Sequence, residues 1–328
     1  MKPQLILLAF AGVVCASSGD RSYEFKNCLT KCLDSRCSPS NTVTLSFPLR
    51  VTRWTCEDNC KYTCMHDITT RDKRLGDRVH QYYGKWPFWR LAGMQEPASV
   101  AFSLLNFWAH WRGLARVRRD VPNGHPMKSY YVLWAFTGLN AWIWSAVFHT
   151  RDWPITEKLD YFSAALTIFY ALYYTVIRLF HLYPTARRNR LTLSTFNSSG
   201  DEGSALKAWS ILCILVYIAH VSYLLFLPRF NYLYNILFNA VVGLTHNALW
   251  GLYAFPSSIP VFKRFPSRPK SYRPPFCDGV LELFDFAPFL RVIDAHSLWH
   301  LATAPIAAGW YTFLIQDARE DSWRSHIN

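Results

Sequence analysis

The chain has 328 residues, of which 51% are hydrophobic and 17% aromatic, with a mean hydropathy of only +0.02 and a formal charge of +13. This balance excludes a disordered or fibrous chain and fits long apolar segments diluted by charged loops and a polar region. The basic excess is a possible sign of nucleic-acid binding, but the placement of the charges assigns it to membrane topology instead.

Residues 1–18 read as a signal peptide. Lys2 supplies the positive end, Leu5–Val14 the apolar core and Val14-Cys15-Ala16 a small-residue cleavage site, with the cut expected near Ala16–Gly19. The apolar run is short for an uncleaved anchor crossing a bilayer. The mature N-terminus is therefore expected in the lumen of the secretory pathway.

Residues 19–93 are expected to form a small lumenal domain. Its cysteines fall at Cys28, Cys32 and Cys37 and again at Cys56, Cys60 and Cys64, spacings that line sulfurs along a helical stripe. Disulfides between two such helices are the expected state, because the tight C-x2-C pairs common in zinc modules are missing. The pairing stays open, since six cysteines allow about 15 connectivities. The domain reads as a structural cap.

Apolar segments follow at about 94–111, 130–148, 159–180, 208–227, 232–254, 279–293 and 296–315. Most approach the ~20 residues that span a bilayer, the sixth being short and interrupted by Glu282, Asp285, Pro288 and Arg291. The expected fold is thus an all-α membrane protein with seven transmembrane helices over residues 94–315, a disulfide-rich lumenal domain and a cytosolic tail over 316–328. With a lumenal N-terminus, each of the loops 112–129, 178–207 and 255–278 carries five Lys/Arg, and the tail adds Arg319 and Arg324. The lumenal loops carry only Arg151, Lys158, Arg229 and Arg291. This asymmetry obeys the positive-inside rule and leaves nothing for nucleic-acid binding to explain. The sequon Asn197-Ser198-Ser199 falls on the cytosolic side and is expected to stay unmodified.

That topology delivers a set of polar groups to one membrane face. The second span ends at His149, with Ser145 one turn below on the same face; the third begins near Asp160; the seventh begins with His296 and His300, four residues apart. Ionisable groups at the edge of hydrocarbon are costly unless partnered, so their convergence points to function. Three imidazoles with an open fourth position suit a catalytic zinc, which lowers the pKa of water to about 7 and polarises an ester carbonyl. A carboxylate can serve such a site as general base and a serine hydroxyl as oxyanion donor. Each residue also has a structural reading: Asp160 as a charge at a helix N-terminus, Ser145 bonded to its own backbone, Asp294 as an N-cap. His110, His181, His220 and His246 read as interfacial residues.

Ser145-x3-His149, Asp160 and His296-x3-His300 resemble the CREST superfamily of seven-span membrane hydrolases, which includes alkaline ceramidases and adiponectin-type receptors. The lumenal half is more specific. Asp20-Arg21-Ser22, the six cysteines, Arg53-Trp54-Thr55-Cys56-Glu57-Asp58-Asn59-Cys60, Tyr62-Thr63-Cys64-Met65, Gln81-Tyr82-Tyr83-Gly84-Lys85-Trp86-Pro87-Phe88 and Gln95-Glu96-Pro97-Ala98-Ser99 resemble the post-GPI attachment to proteins factor 3 family of GPI-specific phospholipase A2-like proteins. The resemblance implies removal of the sn-2 acyl chain from protein-attached GPI in the Golgi or ER, with GPI lipid and GPI-anchored proteins as substrate. It also implies Zn2+ held by His149, His296 and His300, with Asp160 as the conserved acid and Ser145 as the conserved serine. Two alternatives stand beside it. One is a seven-span receptor or GPI-lipid escort with a structural metal; the other is ceramidase-type amide hydrolysis, against which the cysteine-rich domain argues.

Overall fold

The computed structural model describes residues 17–38, 44–183, 201–254 and 285–319. The expected signal peptide before Ser17, the Asn197 sequon and the tail beyond Arg319 lie outside these residues. The described parts of Met1–Val100, His149–Arg151 and Glu282–Leu298 make one compact unit; those of Ala101–Phe148, Asp152–Leu281 and Trp299–Asn328 make a second.

The first unit is built on two helices, α1 (Tyr23–Arg36) and α3 (Cys56–Leu75), with a single turn, α2 (Phe47–Val51), between them. Ser22 caps α1 by accepting from Phe25 N–H, and Thr55 with Asp58 forms a capping box on α3. Three disulfides run in nested order, Cys28–Cys64, Cys32–Cys60 and Cys37–Cys56, so the two helices are antiparallel. The apolar core beneath them is small, formed by Phe25, Cys64, Ile68 and Tyr82, and a core of this size needs covalent help. Two tight turns follow, closed by the bridges Tyr82↔Lys85 and Leu91↔Met94. Gly93 in the second turn has φ +86°, and a Cβ there would stand 2.5 Å from Thr52 Oγ1 and 2.8 Å from Pro48 O, so only glycine fits.

One expectation is corrected here. The sixth segment, 279–293, is not a helix where it is described: residues 285–294 form an irregular strap whose turn, with Leu290 and Arg291 at positive φ, is closed by a bridge between Phe289 and Ile293, and 279–284 lie outside the described residues. The reason is its polar content. Asp285 accepts from Gln81 Nε2 at 3.1 Å and Trp86 Nε1 at 2.7 Å, Trp89 N–H donates to Arg291 O at 2.9 Å, and the Arg291 guanidinium donates to His66 Nδ1 at 2.8 Å and Thr70 Oγ1 at 2.9 Å. These bonds hold the strap against the disulfide-bonded helices.

The second unit consists of long helices. α4 (Pro97–Asp120), α5 (Lys128–Thr150), α6 (Pro154–Leu179), α7 (Asp201–Phe226), α8 (Tyr232–Ala254) and α9 (Ala295–Arg319) are each 23 to 26 residues long; α4, α5 and α9 run unbroken across the division between the units. Three segments, Lys128–Thr150, Pro154–Leu179 and Gly203–Phe226, are long and apolar enough to cross a membrane. The chain is therefore a multi-pass membrane protein, although six long helices, not seven, are seen among the described residues. Only 17% of the apolar stretch of α7 is buried, leaving Ile211, Leu215 and Ile218 outward as lipid contact requires. The core is aromatic: Trp310 Nε1 donates to Tyr174 OH and Trp250 Nε1 to Thr175 Oγ1. Arg178 and Asp317 form a buried two-point ion pair at 2.8 and 3.1 Å, which ties the C-terminal ends of α6 and α9.

Candidate metal centre

Glu96 is the last residue before α4, and its backbone is pinned to the end of α5. Gln95 N–H donates to Thr150 O and Glu96 N–H to His149 O, both at 3.0 Å. The carboxylate is thereby set beside the last turn of α5. His149 Nδ1 lies 2.7 Å from Glu96 Oε2, and Lys85 Nζ lies 2.6 Å from Glu96 Oε1. Glu96 is 4% exposed and His149 2%. A carboxylate at Nδ1 keeps the proton there, so the imidazole turns its Nε2 lone pair to the opposite edge. That Nε2 stands 3.3 Å from His296 Nε2. Two nitrogens bound at about 2.0–2.1 Å to one tetrahedral ion stand roughly 3.3–3.4 Å apart, so the spacing suits a shared divalent cation as well as a shared proton.

Asp294 caps α9, accepting from Ser297 N–H at 2.9 Å while its own N–H donates to Ser297 Oγ at 3.0 Å, as its structural reading anticipates. The cap starts the helix one residue before His296, and His300 follows one turn later. In the second unit, Ser103 Oγ of α4 lies 3.1 Å from His300 Nδ1 and 3.0 Å from Ser145 Oγ, and Asn106 Nδ2 donates to His300 O at 2.6 Å. A consistent set of donors runs from His300 Nδ1–H to Ser103 and from Ser103 O–H to Ser145, which leaves the Nε2 edge of His300 facing away from the serines. His149, His296 and His300 form a group that could hold a metal ion. Asp160 is not part of that group; it sits partly buried in the second turn of α6.

Residues 46–318 match the Per1-like family. The chain belongs to that family. It is 39% identical over 318 residues to the Schizosaccharomyces pombe protein described as Protein PER1 homolog, covering 94% of this chain and 89% of that one. It is 37% identical to the Drosophila melanogaster post-GPI attachment to proteins factor 3, over 94% of this chain and 91% of that protein. The human protein described as GPI-specific phospholipase A2-like PGAP3 is 35% identical over 323 residues, 96% of this chain and 94% of its own. The resemblance of the lumenal motifs to the post-GPI attachment to proteins factor 3 family is thus borne out. No solved structure matches the chain.

Against this Per1-like framework, the motif histidines are found on the expected helices, but their supports were not anticipated. Lys85 and Glu96 lie inside motifs that carried the family resemblance without having been given a role, and Ser103 and Asn106 lie in an ordinary-looking apolar helix. The one available signal for Glu96 was a carboxylate inside the expected apolar segment 94–111, where burial demands a cation. Two histidines read as interfacial are instead buried: His110 Nδ1 meets Tyr311 OH at 2.8 Å, and His220 stacks on Phe238 with ring centroids 3.8 Å apart.

Proposed function

We propose that the chain is a metal-dependent, lumen-facing phospholipase that removes the sn-2 fatty acyl chain from GPI anchors of proteins in the Golgi or ER. The observation that carries this reading is the pairing of His149 and His296 through their Nε2 atoms, with His300 one turn further along α9. The names of the human and fly relatives supply the substrate class. Three disulfides fit an oxidising lumen for residues 19–93, after removal of residues 1–18. The long helices α4 to α9 would cross the membrane, with the strap at 285–294 on the lumenal side and residues 316–328 reaching the cytosol.

His149, His296 and His300 would hold Zn2+. The bound ion would supply Lewis acidity toward the ester carbonyl and a lowered pKa for water. The protein residues do the rest. Glu96 holds the Nδ1 proton of His149, and Ser103 accepts that of His300, so both rings keep the tautomer a ligand needs. Asp160 is assigned the proton from the attacking water, which it passes to the departing alkoxide of the glycerol; water and ester become a free fatty acid and a lyso-GPI. Ser145, receiving a hydrogen bond from Ser103, directs its own proton to the oxyanion. An sn-2 ester lies near the headgroup boundary, the depth of the first turn of a span, so the glycan stays in water.

The test is anchor-lipid analysis in cells lacking the activity, complemented with wild type or His296→Ala. Wild type restores sn-2 chain removal and the variant does not; normal removal by the variant overturns the assignment.

A further inference from the structure

Lys85 lies within the disulfide-bonded part of the first unit, far in sequence from the histidines. Its backbone is fixed by a two-bond bridge with Tyr82: Tyr82 N–H donates to Lys85 O at 2.8 Å and Lys85 N–H to Tyr82 O at 3.0 Å, around Gly84 at φ +78°. Tyr82 is buried against Phe25 of α1, ring centroids 5.2 Å apart, and α1 is bonded to α3 by the three disulfides. Gln81 and Trp86, flanking the same turn, donate to Asp285 of the strap that leads into α9. The turn therefore sits at a junction. One side is covalently braced, and the other touches the approach to His296.

The ammonium group meets Glu96 Oε1 at 2.6 Å, and the remaining oxygen of that carboxylate takes His149 Nδ1 at 2.7 Å. A carboxylate this buried costs several kcal/mol unless paired, and simple stability gives little reason to keep a buried ion pair, since apolar residues of similar volume often serve as well. The unequal use of the two oxygens gives a different reason. The lysine ammonium fixes one oxygen of Glu96 and so aims the other at His149 Nδ1, the edge where the ring then donates its hydrogen bond. Partners of this kind raise ligand basicity and lock ring orientation.

We infer that Lys85 and Glu96 are positioning residues of the metal centre, and that through them the disulfide-bonded helices set the tautomer and aim of His149. This rests on the metal-centre reading of His149, His296 and His300. It adds a task for the cysteine-rich region that nothing else in the molecule assigns to it.

The test is zinc retention by the purified full-length protein in detergent, read as metal content after dialysis against graded chelator, with thermal melting recorded alongside. Lys85→Met and Glu96→Gln are expected to release zinc at about 10- to 100-fold weaker chelation than wild type, and Lys85→Arg to restore most of the difference. The double variant Lys85→Met/Glu96→Gln separates positioning from packing, because it buries no unpaired charge. It is expected to melt close to wild type and still release zinc early. Wild-type zinc retention by the double variant, or by both single variants, overturns the inference while leaving the metal centre standing. Absence of zinc retention in wild type, equal to His149→Ala, overturns the metal-centre reading itself.

Discussion

The Nε2 atoms of His149 and His296 stand 3.3 Å apart although 147 residues separate them in the chain. Nothing local enforces that approach. The backbone bonds that pin Glu96 to the end of α5 orient the His149 ring, and the Asp294 cap fixes the first turn of α9, which carries His296. Replacing any one of His149, His296 or His300 by alanine is expected to lower hydrolysis below about 1% of wild type, since an ion left with two protein ligands is held weakly and aimed badly. Zinc content of the three purified variants checks this independently of turnover.

The two serines near His300 should behave differently. Ser145→Ala removes the assigned oxyanion donor, with an expected loss of about 10²–10³ in kcat and no change in metal retention. Ser103→Ala removes the acceptor at His300 Nδ1, so metal retention falls as well. Single-turnover hydrolysis and chelator dialysis on both variants distinguish the roles. Equal behaviour of the two would dissolve the donor chain proposed above.

Acid should loosen the strap. His66 is buried with its Nε2–H bonded to Phe88 O, its ring between Tyr62 and Trp89, and its Nδ1 accepting from the Arg291 guanidinium, with Arg90 also nearby. Burial first, then the two arginines, push its pKa down from 6.5 to about 4, opposed by the backbone bond to Phe88. The unfolded chain therefore binds more protons than the folded one across that window. Stability is complete above about pH 6.5 and is lost as pH falls toward 4, by at most about 3 kcal/mol from this group. Thermal melting across pH 7.5 to 4.5 should show the decline, and His66→Gln should flatten part of it.

The ion pair between Arg178 and Asp317 is open to a double-mutant cycle. Arg178→Met alone leaves a buried carboxylate without its cation and is expected to cost about 3–5 kcal/mol. Arg178→Met/Asp317→Leu should recover most of that loss. Non-recovery in a melting assay would show that the pair does more than pack.

Glycine substitutions probe the disulfide-bonded region. Gly93→Ala meets Thr52 and Pro48 O at φ +86°, whereas Gly76→Ala, at φ +80° in the αL cap of α3, meets nothing within 4 Å. The second should cost about 1 kcal/mol and the first clearly more, measured by chemical denaturation.

Much of this architecture could be read from residue order alone. Helical spacing placed His296 and His300 on one face, and the period of the cysteines anticipated two stapled helices; α8 begins and ends where its apolar run does. Disulfide pairing could not be read, because Cys28, Cys32 and Cys37 are chemically equivalent until the helices lie antiparallel. The strap at 285–294 was misread because Phe286, Phe289, Leu290, Val292 and Ile293 look like the inside of a span. Their neighbours Asp285 and Arg291 settle the matter through partners more than 190 residues away. Glu96 and Ser103 were overlooked for the same reason: a second partner to a ligand has no spacing rule, only a tertiary address.

The order of synthesis has a bearing on when this protein can act. Glu96 and His149 emerge from the ribosome long before α9, which is the final described helix and carries two of the three imidazoles. A nascent or prematurely terminated chain ending before Ala295 contains the six paired cysteines but only one of the three imidazoles. On the proposed function, a chain without α9 would have no hydrolytic competence, whatever the state of its disulfide-bonded region.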